Sequence, residues 1–388
     1  MTTLPLPSRA QLPAWELLLA GVVGAGVTLL CLLGRPSGAL QLLPPSRALL
    51  AISMLTVGLG VWLVPSGRRL ELLCVGLGGL GCQALLASVT DVPAVAALLV
   101  PIGFAAAARP GRHPLTVQIR GPVLAALLLG LGWTLLRSPG PSWLGRLGAL
   151  GEALGLVAAG GLFPYLQDVG EEEPADASYL AWTGFLAPTL ALALPTRLLH
   201  SHALRPDEGV VMGAVLLGLG LLNLTWGVVG AWRASSTVEA WRCSFLVDWG
   251  FALIGIGLLD RDGLAAAYLA MLAIVAVRTP LVVVAGMTPS IAVGRRPLTL
   301  LLVVLLAGAA PFSGFPVRLL LLRAATQLAW PLAALLLVGM ALATLHALRL
   351  ARTVGVPRGH GAVGLAVVVV MSLALGLLPD VLRALGGM

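Results

Sequence analysis

Five ionisable side chains stand inside long apolar runs: Glu152, Asp248, Arg278, Arg318 and His346. If those runs lie in a bilayer, each charge costs at least about 2.5–3.5 kcal/mol at depth, so each requires a partner, a hydrated neighbourhood or a functional reason. Asp248 lies 11 residues before the turn at 259, and Arg278 lies 14 after 264. In an antiparallel hairpin the two come to similar depth, which predicts an ion pair, structural or functional. Glu152 sits between glycine, alanine and leucine with no polar neighbour in sequence. It is either a surrogate proton carrier or a contact for an arginine of a neighbouring subunit. His346, one turn before Arg349, reads as an interfacial histidine at a span end, with proton carriage as the sharper alternative. His113, His200 and His202 read as loop residues.

Other chemistry is not supported. Cys31, Cys74, Cys82 and Cys243 form no paired CxxC, so neither a zinc nor an iron–sulfur site is indicated. No glycine-rich loop precedes a helix in the manner of a phosphate cradle, and no nucleophile triad is visible. The glycines at 76–81 read instead as small residues that let helices approach closely.

The elements that must position these residues follow from composition. Of 388 residues, 59% are hydrophobic and 10% charged, against about 25% charged in a soluble domain. Nearly uncharged segments of spanning length follow one another along the chain. Their backbone groups must be paired internally in lipid, which implies helices. The predicted spans are 17–33, 48–64, 70–89, 92–107, 121–136, 147–166, 179–199, 209–231, 243–259, 264–286, 298–325, 327–348 and 361–379. The reading is therefore an all-α polytopic membrane protein of about thirteen transmembrane helices, a single transmembrane domain over 1–388. Pro311 and Pro316 interrupt one span and predict a non-helical break at 309–316. The first apolar run reads as a retained anchor, not a cleaved signal.

The formal charge of +8 does not indicate nucleic acid. All 24 basic residues are arginine, with no lysine, and they lie singly or in pairs at span ends, as topology signals and interfacial anchors do. Alternating the loops places more arginines on the side of the N-terminus, which predicts a cytoplasmic N-terminus, with the bacterial inner membrane as the expected location. Asp168, Glu171, Glu172, Glu173 and Asp176 form an acidic patch, either a solvated loop or a docking surface for a basic neighbouring subunit.

The stretches Leu222–Ala234, Trp241–Phe251, Gly263–Gly286, Ala310–Ala325, Ala341–Leu350 and Leu373–Asp380 together resemble the antiporter-like membrane subunits of respiratory NADH:quinone oxidoreductase (complex I), most closely the subunit-N type. That family also covers membrane-bound hydrogenases and Mrp antiporters. The resemblance is stronger over 209–388 and weaker over 48–200, where Arg69–Asp91 matches the fourth helix and its turn. It implies an inverted-repeat bundle with two helices broken at mid-membrane, one at Pro311–Pro316 and the other near Phe163–Pro164. In the family a buried glutamate and a row of buried lysines are held to relay protons. Here the glutamate position falls on Val100, and the lysine positions fall on or near Ala159, on or near Leu186, and on Arg318.

Arginine stays protonated in proteins, with a pKa above about 12, so Arg318 can hold a fixed charge but not cycle a proton. The resemblance thus implies a membrane-arm subunit of a complex I-like proton-translocating assembly whose own proton path is degenerate or altered. Any ion path would use Glu152, Asp248, Arg278, Arg318 and His346, through a dry midline between residues 100 and 186 with at most a short hydrated pocket near Arg318. The chain would bind no cofactor itself, the assembly using NADH or another donor and a quinone. Its partners would be other membrane subunits and lipid. The alternatives are a stand-alone secondary transporter or antiporter with Arg318 and Arg278 as anion ligands, and a structural membrane scaffold.

Overall fold

A computed structural model of the chain describes residues 44–63, 120–165, 204–287, 296–354 and 359–381, with single positions and short pieces between 22 and 84. No strand occurs among the described residues. The helices are α1 (Pro44–Leu63), α2 (Arg120–Arg137), α3 (Ser142–Ala159), α4 (Pro206–Arg233), α5 (Thr237–Gly257), α6 (Arg261–Ala273), α7 (Thr279–Met287), α8 (Arg296–Leu306), α9 (Gly314–Leu328), α10 (Trp330–Thr353) and α11 (His360–Leu377). Each of the predicted spans that falls on these residues is helical. Spans 92–107 and 179–199, the positions Val100 and Leu186, and the acidic patch at 167–178 lie outside the described residues.

The stretches Pro206–Arg233, Arg261–Val284 and Trp330–Thr353 are long and apolar enough to cross a membrane. They are used differently. The outer two bury 33% of their most apolar window, whereas Arg261–Val284 buries 94%. α4 turns Val210, Leu222, Trp226 and Val229 outward, and α10 turns Trp330, Leu335, Leu337 and Val338 outward. Such apolar outer faces suit hydrocarbon. Arg261–Val284 is instead a central pillar, in contact with α1, α5, α9 and α11.

Adjacent helices approach backbone to backbone. On α4, Gly213, Gly220 and Gly227 recur at heptad spacing and face Gly257, Gly250 and Cys243 of the antiparallel α5. A Cβ on Gly220 would sit 2.7 Å from Ile254 Cγ1 and 3.0 Å from the Gly250 carbonyl oxygen. With no hydrophobic drive between helices in lipid, van der Waals contact at such seams supplies the attraction. Gly81 behaves as the sequence suggested: a Cβ there would lie 2.5 Å from the Gly24 Cα.

The starts of α5 and α6 are set by caps. The Ser236 hydroxyl accepts from the Glu239 N–H at 3.2 Å, and Asp260 accepts from the Gly263 N–H at 2.7 Å, satisfying first-turn donors. α4 is closed at its other end by Arg349 of α10. One guanidinium nitrogen donates to the carbonyls of Ala231 and Trp232, and the other to that of Ala234, at 2.6–2.8 Å. A cation on these terminal carbonyls also offsets the negative end of the helix dipole.

Gly220→Ala should lower the thermal unfolding midpoint of the purified protein by the equivalent of about 1–3 kcal/mol, the usual cost of overpacking. Gly218→Ala is its control: nothing lies within 4 Å of a Cβ there, so it should be neutral or slightly stabilising. Equal effects at both positions would refute the seam.

Candidate functional site: a buried charge centre at a broken helix

Both expected helix breaks are present, and they share one geometry. α3 ends at Ala159, and the N–H groups of Gly161 and Leu162 donate to the carbonyls of Ala158 and Val157 at 3.0 and 3.1 Å. α8 ends at Leu306, and the N–H groups of Gly308 and Ala309 donate to Leu305 and Val304, both at 3.1 Å. Gly161 and Gly308 each have φ of +61°, the left-handed residue such a paired closure requires. A proline follows in both, Pro164 and Pro311, each after a cis peptide bond.

The second break covers 307–313, not 309–316 as the prolines suggested. Gly308 stops α8 before Pro311 is reached. Pro316 lies in the first turn of α9, where N–H groups lack intrahelical acceptors and proline is tolerated.

Polar side chains from other helices clamp each break. The Phe163 N–H donates to Asn223 Oδ1 at 2.9 Å, and Asn223 Nδ2 donates back to the Phe163 carbonyl at 3.1 Å. At the second break, the Ser313 N–H donates to Ser372 Oγ of α11 at 3.2 Å, and the two hydroxyls lie 3.0 Å apart. Sequence reasoning missed Asn223 and Ser372. Their signal was a single polar residue in an otherwise apolar span, the same signal that picked out the charged groups.

The pillar carries a third irregularity, also missed. Residues Ile274–Arg278 form a π turn between α6 and α7. Pro280 has no N–H to give the carbonyl of Ala276, and its ring would crowd that carbonyl in a regular helix. The loosened carbonyls are taken up by hydroxyls: Thr279 donates to Ile274 at 3.0 Å, and Thr56 of α1 lies 3.2 Å from the Val275 carbonyl oxygen.

At the end of this turn Arg278, 9% exposed, meets Asp248 of α5. Its Nη2 donates to Asp248 Oδ1 at 3.0 Å, and its Nε pairs with Oδ2. This two-point contact is the ion pair expected from the hairpin. Nη1 has no hydrogen-bond partner among the described residues. Arg318 follows the second break by one turn. Its Nε lies against Gly308 and its guanidinium faces the Phe251 ring, with Cζ 5.8 Å from the centroid. A Cβ on Gly314 would be 2.5 Å from the Gly308 Cα, so two glycines let α9 start this close to the end of α8. Asp248, Arg278, Arg318, Ser313 and the two glycines line one cavity of about 50 Å³, room for roughly three or four waters.

The remaining predicted residues separate. His346 is 3% exposed, with both ring nitrogens unpartnered among the described residues. It is therefore internal to the bundle, and the charges of Arg278 and Arg349 act on it. Glu152 stands apart on α3. It is 0% exposed, neither oxygen has a partner among the described residues, and its stem packs on Gly132 of α2. A carboxylate enclosed this way faces another helix of its own chain. Ala159, on or near which the resemblance puts a lysine, ends α3 and is buried.

Asp248→Ala or Arg278→Ala alone should destabilise the protein by about 3–5 kcal/mol, since each leaves a buried charge uncompensated. The double replacement should cost less than either single one, read from denaturation midpoints. A double variant worse than both would exclude the pairing.

Neither a family model nor a curated protein matches the sequence. Solved structures do. A chain of the Mrp complex from Dietzia sp. aligns at 16% identity over 96% of this chain, with a TM-score of 0.73. A chain of the membrane-bound sulfane sulfur reductase, an archaeal respiratory membrane complex, aligns at 16% over 95%, with a TM-score of 0.71. A chain of respiratory complex I from Thermus thermophilus aligns at 19% over 95%, with a TM-score of 0.63. This chain spans 48% of the length of the Mrp chain, 73% of the reductase chain and 98% of the complex I chain. Identities this low speak to architecture alone, and the architecture is the one the sequence resemblance implied: the chain has the antiporter-like fold of membrane subunits in Mrp, the sulfane sulfur reductase and complex I.

Proposed function

We propose that this chain is a membrane-arm subunit of a complex I-like quinone oxidoreductase or proton-translocating assembly, with its own proton path degenerate or altered. It would cross the membrane about thirteen times as one domain, in a bacterial inner membrane with a cytoplasmic N-terminus. Donor and quinone chemistry would reside in other subunits. The observation that carries the reading is the second break, where the fold is kept but Arg318 occupies the position at which the resemblance puts a lysine. Lysine can lose its proton when buried, whereas guanidinium holds its charge. The site therefore keeps an electrostatic anchor and lacks a cycling group. Glu152, Asp248 and His346 are left to titrate, and Glu152 lies on a different pair of helices from the other two.

A transporter reading draws support from Arg278 and Arg318 lining one cavity. Two measurements separate the readings. Extracted gently from its native membrane, the protein should copurify with other membrane subunits. Proton uptake by vesicles carrying the assembly should be the same for wild type and Glu152→Gln. A monodisperse chain that drives solute flux alone in liposomes would favour the transporter. Uptake lost in Glu152→Gln, with assembly intact, would make Glu152 a working carrier and overturn the degenerate path.

A further inference from the structure

Among the described residues, the second break gathers more positive charge than it neutralises. Asp248 is the single carboxylate lining the cavity, and it faces two guanidiniums, Arg278 and Arg318. Arg278 already spends Nε and Nη2 on Asp248. Its Nη1 is buried without a partner, and Arg318 forms no salt bridge among the described residues. His346, the nearest other titratable group, contributes no negative charge in either protonation state.

A lysine in such surroundings could shed its proton and leave the site neutral. Arginine has no such exit, and among the described residues no second carboxylate lines the cavity. Buried charge that can neither pair nor discharge costs several kcal/mol. The start of α9, a helix of 15 residues, adds its positive dipole end at the same place. The remaining walls, Phe251, Ala270, Ala273, Val277 and Leu305, are apolar and limit the occupant to something small and nearly dry.

We propose that this cavity is a binding site for one small monovalent inorganic anion of halide size. The anion lies between the guanidiniums of Arg278 and Arg318, which line the cavity, over the N-terminus of α9. The cavity's volume of about 50 Å³ admits such an ion with a water or two. The site does not depend on which partner subunits the chain has, so it stands or falls separately from the assembly proposed above.

The test uses the full-length protein in lipid nanodiscs and chloride itself as the probe. Excess ³⁵Cl NMR linewidth reports exchange of chloride with a slowly tumbling site, and bromide serves as the competitor against gluconate at constant ionic strength. Wild type should show saturable excess linewidth that bromide removes and gluconate does not. Arg318→Gln should weaken it roughly tenfold or more, as expected for losing one charge-assisted donor. Ala273→Leu fills the cavity without altering any charge, so it should abolish the signal even if Arg318→Gln folds poorly. No saturable broadening in wild type, or undiminished broadening in a folded Ala273→Leu or Arg318→Gln protein, would overturn the proposal.

Discussion

Arg278 cannot give up its charge, and it sits on a long helix with almost no outer surface. That combination constrains everything packed around it. A helix buried on all sides cannot send polar groups to headgroups or water, so each must be met within the chain. Asp248 has to reach the same depth from α5, which requires a tight α5–α6 turn and a close seam between α5 and its other neighbour, α4. The glycines of that seam, the caps at Ser236 and Asp260, and the grip of Arg349 on the end of α4 all serve one placement. The pair is a poor source of net stability, because desolvation consumes most of its attraction. Its value lies in what happens without it: either partner alone would be a severe defect.

The three interruptions of regular helix obey the same rule. Backbone freed by Gly161, Gly308 and Pro280 is returned to hydrogen bonding by side chains of distant helices: Asn223, Ser372 and Thr56. Irregular backbone at membrane depth is tolerated where protein covers it or where it lines a cavity. The second break meets both conditions, with Ser372 covering Ser313 on one side and the charge centre opening on the other. The first break is covered by Asn223 and by the Phe163–Trp226 stack, whose centroids are 4.9 Å apart.

The matching closures at 157–162 and 304–309 bear on function. The closing geometry is repeated hydrogen bond for hydrogen bond in both halves. Among the described residues the second half has charge beside its break and the first does not: Ala159 and Leu162 stand at the end of α3, and the nearest ionisable group on that helix is the enclosed Glu152. The two halves thus differ in electrostatics far more than in backbone. Arg318 gives the second break a charge of fixed sign.

Much of this was legible in the residues. Apolar runs too long and too uncharged for a soluble core gave the helices, because lipid leaves no other way to satisfy the backbone. Asp248 and Arg278 announced each other, since two lone charges at matching depth in consecutive spans have few alternatives. The absence of lysine determined that Arg318 holds its charge, a matter of side-chain chemistry that no fold can change. Other features needed the third dimension. The break at 307–313 was displaced from its prolines because a glycine closure upstream acted first. The π turn arose from Pro280 meeting a carbonyl one turn back, and its cost depended on whether a hydroxyl from α1 lay opposite. His346 and Glu152 looked alike in sequence, each a polar residue in an apolar stretch. Packing put the histidine near the charge centre and sealed the glutamate between α2 and α3. Sequence fixes which groups carry charge, because that is local chemistry. Which groups share a cavity depends on helix-to-helix contacts between residues far apart in the chain, and only the assembled bundle decides that.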